Sequence, residues 1–142
     1  QNARTVSRKV KLLDIEREFF REYAKLADLS LKELVDLSIE NALLEGPPDC
    51  WSELILPAEE ASRFSLGVSP DVLRKLTTGI DTHIYHGTKR GLGVGSVLIT
   101  ALWRYTSDHP IDALDYKRKL LFAQTKRIEL SAPNTKPIQR AS

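Results

Sequence analysis

Thr5-Val6-Ser7-Arg8-Lys9-Val10-Lys11-Leu12 and Arg63-Phe64-Ser65-Leu66-Gly67-Val68 are the two stretches on which the fold turns. In the first, Val6, Val10 and Leu12 share one parity and Ser7, Lys9 and Lys11 the other, with Arg8 interrupting the apolar set. That period of two predicts a strand with one apolar and one polar, basic face. In the second, Phe64, Leu66 and Val68 alternate with Arg63, Ser65 and Gly67, which predicts another strand of the same kind.

Each strand is followed by two helical patterns. After the first, Ile15, Phe19, Tyr23, Leu26 and Ala27 fall on one helical face, with Asp14 as expected N-cap and acids in the first turn. Ser30 and Glu33 then stand at capping-box spacing, ahead of a helix that buries Leu31, Leu34, Val35, Ile39, Ala42 and Leu43 and stops near Gly46-Pro47-Pro48. After the second strand, Ser69-Pro70-Asp71 opens a helix whose inner face is Val72, Leu73, Leu76, Ile80 and Ile84. A glycine-rich turn over 86–93 leads to a helix from Val94 to Ser107, closed by His109-Pro110. Between the halves, residues 47–61 read as a linker with order of its own, because Trp51, Leu54 and Ile55 are too apolar for water. Residues 111–127 read as one more helix, and 131–142 as a disordered tail.

The second helices superpose at a step of 63 residues: Leu31, Leu34, Val35, Ser38, Ile39 and Ala42 fall on Val94, Val97, Leu98, Ala101, Leu102 and Tyr105, and all but Ala42/Tyr105 match in size or polarity. The strands superpose at a step of 54, Lys9 to Leu12 falling on Arg63 to Leu66. Strand, helix, turn, helix thus occurs twice.

Bulk properties narrow the function classes. The 142 residues, 42% hydrophobic and 28% charged, are those of a globular protein able to bury a core. No stretch approaches the roughly 20 apolar residues of a membrane span, and no signal-peptide pattern is present, so a cytoplasmic location is expected and no membrane partner. The single cysteine, Cys50, excludes an intrachain disulfide. Net charge is +2, yet residues 1–11 and 111–142 carry +4 each, leaving −6 in the middle. Basic ends on an acidic body suit contact with a polyanion at particular places, or are two solvated tails.

The order and spacing of these elements resemble the ribbon-helix-helix superfamily, the fold of the Arc and MetJ repressors. The resemblance covers about residues 5–46 and 62–108. It implies a mainly α fold with a two-stranded antiparallel ribbon: a pseudo-twofold tandem ribbon-helix-helix plus an extra C-terminal helix. Residues 1–110 would be one intertwined domain (repeat one 5–46, linker 47–61, repeat two 62–110), with 111–130 the C-terminal helical segment. Both units on one chain look like the tandem accessory proteins of plasmid transfer and of the T-DNA border complex. In such proteins the ribbon enters the DNA major groove. Carried over, Ser7, Lys9, Lys11, Arg63 and Ser65 would read bases, and Gly67 is a missing reader. The family's phosphate site at the start of the second helix falls on Ser30, Leu31 and Lys32 and on Gly93, Val94, Gly95 and Ser96, with Lys89 and Arg90 just upstream. The two strands differ, one basic and one mostly small, which implies a non-palindromic site or one half that mainly positions.

Plainer readings stand beside these. Lys9 and Lys11 also suit a strand kept soluble by lysine. Gly91, Gly93 and Gly95 lack the preceding strand and the Gly-Lys-Ser/Thr ending of a nucleotide loop. His83 and His86 have no third metal ligand nearby, so no metal and no cofactor is expected. Trp51 and Trp103 read as core or linker packing rather than as platforms for bases. Cys50 has no activating neighbour, and Asp108-His109 makes no triad with any serine.

The expectation is therefore a non-enzymatic, sequence-specific binder of double-stranded DNA. It would act as a transcriptional regulator or as an accessory factor for a DNA-processing enzyme in conjugation, with that enzyme or a second copy of itself as further partners. The rival expectations are a helical protein-interaction module, an antitoxin or adaptor whose basic ends bind an acidic partner, and a small enzyme with an unrecognised site.

Overall fold

The computed structural model describes residues 5–46, 48, 51–78 and 93–129. Among them the chain runs β1 (Val6–Leu12), α1 (Asp14–Leu26), α2 (Leu31–Leu43), β2 (Glu53–Leu56), β3 (Ser62–Val68), α3 (Pro70–Thr78), α4 (Val94–Asp108), α5 (Asp112–Ala123) and β4 (Lys126–Glu129). The fold is mainly α, with two separate two-stranded antiparallel sheets, β1–β3 and β2–β4.

The two strands read from the sequence lie side by side, with Val6 opposite Val68, Lys9 opposite Ser65, Val10 opposite Phe64 and Leu12 opposite Ser62. Their inner face sinks Val10, Leu12, Leu66 and Val68 into the core; Arg8, on the same parity, is exposed. The core continues through Leu34, Val35 and Ile39 of α2 and Val97, Leu98 and Leu102 of α4, all essentially inaccessible. Each such side chain contributes about 1.5–3 kcal/mol by leaving water. Helix α2 packs against α4 and beneath β3, while α4 lies beneath β1. Each half of the chain thus supplies the floor for the other half's strand.

Several expectations change. Strands β1 and β3 begin 56 residues apart, at Val6 and Ser62, and so do the helices that follow them, at Asp14 and Pro70. A two-residue shift leaves every side chain on its own face, so alternation alone does not separate 54 from 56. The helix starts do. The N-cap of α1 is Leu13, not Asp14, and Glu16 takes over the end by accepting the Leu13 N–H at 2.9 Å. Helix α1 buries Glu16, Phe19, Phe20, Tyr23 and Ala24, leaving Ile15 and Leu26 half exposed. The face has turned toward Phe20 because Phe19 and Phe20 both close on Trp103, one stacked at 5.4 Å and the other edge-on at 5.0 Å. Burial pushes the Glu16 carboxyl above its ordinary range. The Leu13 hydrogen bond opposes this, as does the Trp103 indole, whose N–H lies close by but meets no acceptor in bonding geometry.

The C-terminal segment is a shorter helix and a strand rather than one helix over 111–127. Helix α5 ends at Ala123, and β4 pairs with β2 from the linker, Leu54 opposite Ile128. Leu114 and Leu121 join the same core as the ribbon. Trp51 and Trp103, 2% and 1% exposed, are core residues and offer no face to a base.

Candidate nucleic-acid interface

Pleating puts Ser7, Lys9 and Lys11 of β1 on the same outer face as Gly67, Ser65 and Arg63 of β3. All except Gly67 are exposed. The sequence-predicted readers are therefore brought together on one projecting surface, about 50 residues of chain apart. Across it Lys11 stands opposite Arg63, Lys9 opposite Ser65 and Ser7 opposite Gly67. Arg8 adds a fourth cation at the edge.

Salt bridges engage some of the described cations and leave others unpaired, Arg21, Lys25 and Lys126 among the latter as well as those of the ribbon. Lys32, Lys75, Arg104, Lys117, Arg118 and Lys119 each meet a carboxylate. Among the described residues none pairs with Arg8, Lys9, Lys11 or Arg63. Beneath the ribbon, the Arg17 guanidinium lies 4.3 Å from the centre of the half-buried Phe64 ring and covers its face. Directly opposed like charges on a sheet destabilise it, so the Lys11–Arg63 pair is an unrelieved local cost.

Two helix N-termini flank the ribbon, and they differ. At α2, Ser30 Oγ accepts the Glu33 N–H at 3.0 Å and Glu33 Oε1 accepts the Ser30 N–H at 2.8 Å. The Glu33 carboxylate there opposes an approaching anion. Lys32 is not turned outward: its Nζ donates to Asp36 Oδ2 at 3.1 Å and to Ser69 Oγ at 2.8 Å. Asp36 also accepts the Ser69 N–H and hydroxyl, at 2.9 and 2.6 Å, so the cluster locks α2 to the start of α3. Sequence reading missed this, since its members lie 33 and 37 residues apart. At α4, Gly93 is an N-cap without a side-chain cap. First-turn N–H groups of a helix have no acceptor within it, and no acid lies in this first turn. The ideal Cβ position of Gly95 is 3.8 Å from Val10 Cγ1, which sets this helix end against β1. Lys89 and Arg90, with Cys50, His83 and His86, lie outside the described residues.

Gly67 has a neighbour that explains its silence. A Cβ there would stand 2.9 Å from Thr5 Cγ2 and 3.7 Å from Lys32 Cβ. The outer face at this end is filled by the Thr5 methyl and the Lys32 stem.

Compared with known proteins, the chain has no significant match to a family model, a curated sequence or a solved structure. Among the described residues, no three His, Cys, Asp or Glu side chains converge to hold a metal, and no helix is long and apolar enough to cross a membrane.

Proposed function

We propose that the protein binds double-stranded DNA with the β1–β3 ribbon in the major groove, as a single-chain tandem of two ribbon-helix-helix units. The observation that carries this reading is the outer face of the ribbon: cations and hydroxyls in alternate positions, exposed and without acidic partners, on two strands whose other face is buried. A two-stranded ribbon fits the major groove, about 12 Å wide, where lysine and arginine match guanine O6 and N7 and serine meets either base type.

The tandem reading is supported by the 56-residue step. Applied to the ribbon, it maps Lys9 onto Ser65, its own partner across the sheet, so a pseudo-twofold axis would pass through that pair. It maps Ser7 onto Arg63 and Lys11 onto Gly67. The mutual exchange of strand and helix floor between halves fits such an axis. Of the two helix ends, α4 is the better phosphate contact, because its first turn carries no acidic side chain. The role would be that of a regulator or of an accessory factor marking a site for a DNA-processing enzyme.

The test is a salt titration of duplex binding followed by fluorescence anisotropy. Affinity is expected to fall with salt at a log–log slope of about −0.9 per phosphate neutralised. Lys9→Ala and Arg63→Ala are each expected to cost about 1–3 kcal/mol on a preferred duplex. Unchanged affinity in both variants would remove the ribbon from the interface.

A further inference from the structure

We infer that the ribbon is polar end to end: Lys11 and Arg63 select base pairs in one half of a duplex site, and the Ser7–Gly67 end lies along the other half without reading it. This deepens the duplex-DNA reading above and rests on it. A ribbon built from two equal strands about a twofold axis presents the same pair at both ends. Here antiparallel pairing gathers both terminal cations at one end, Lys11 facing Arg63, and leaves a hydroxyl facing a glycine at the other.

The asymmetry visible along the sequence, a basic strand and a small one, becomes in space an asymmetry between ends. That changes what is recognised. Two strands of unequal character on every base step would weaken both halves of a site alike; two unequal ends give one half all the discrimination. The silent end is also closed structurally. Thr5 and Lys32 fill the space above Gly67, and the Lys32 ammonium is held by Asp36 and Ser69, while Arg8 beside Ser7 stands on the opposite parity of the strand. At the other end the two cations are exposed, and no described acid pairs with either. Four residues separate the ends, about 13 Å along a strand, or about four base pairs at roughly 3.4 Å each. The ligand is accordingly a duplex with a short, guanine-containing tract on one side of the point where Lys9 sits, and no inverted copy of it on the other.

The full-length chain would be used to select from a duplex pool with a random core of about two helical turns. The wild type should enrich a one-sided motif. Lys11→Ala and Arg63→Ala should erase the same positions and cut affinity on that duplex about tenfold. Ser7→Lys should add information in the second half and leave the positions read in the first half unchanged. A palindromic wild-type motif, or Lys11→Ala and Arg63→Ala erasing positions in opposite halves, would overturn the polarity while leaving DNA binding intact. Absence of any enrichment, with salt-insensitive binding to the pool, would overturn the DNA reading and the polarity with it.

Discussion

Lys11 and Arg63 show at the scale of single residues what gathering like charges costs the fold. Opposed on one face of a two-stranded sheet, their Cβ atoms stand about 4.5–5.5 Å apart, and no described acid relieves them. Replacing one by an acid converts repulsion into attraction. Lys11→Glu is therefore expected to raise stability by about 0.5–1 kcal/mol, seen as a higher urea midpoint, while duplex affinity drops at least tenfold. A lower midpoint would mean that the two side chains do not meet. The outer-face residues were legible in the sequence, because a period of two assigns faces without knowledge of the partner strand. The fate of Lys32 was not. Its partners Asp36 and Ser69 come together only when α2 is set beside the start of α3, so a residue expected to hold phosphate is found tying two helices.

At the scale of elements, the patterns that repeat were readable and those that depend on a distant neighbour were not. Helix α2 starts where the Ser30–Glu33 capping box puts it, and α4 where its apolar spacing begins after the glycines. Strands β2 and β4, four residues each, carry too little alternation to announce themselves, and each is defined by the other. One contact fixes β2 in place. Thr100 Oγ1 of α4 accepts the buried Ile55 N–H at 2.8 Å and donates to Ser96 O at 2.7 Å. Thr100→Val keeps the shape but strands that N–H in the core, at a cost of about 1–3 kcal/mol. Thr100→Ser should recover most of the loss in a thermal melt, and amide exchange at Ile55 should quicken in the valine variant alone. Equal melts for all three proteins would show that β2 is held by packing and not by this bond.

At the scale of the whole molecule, the governing fact is exchange between halves: α2 supports β3, and α4 supports β1. Among the described residues the strongest support under each strand comes from the other half, and the antiparallel pairing is what the ribbon-helix-helix resemblance implies. The strands begin 56 residues apart where the alternation aligned them at 54, a shift of two that preserves every parity. It was the helix starts, Asp14 and Pro70, that set this step.

The two ribbon strands belong to one polypeptide, joined through the 49 residues from Leu13 to Ala61. Their meeting is consequently a first-order event with no dependence on copy number, unlike an assembly from separate subunits whose melting point slides with protomer concentration. The melting temperature should stay fixed across about a thousandfold dilution, checked by fluorescence at the dilute end. A molecule built this way stays whole at scarcity, where a two-chain counterpart would already have come apart.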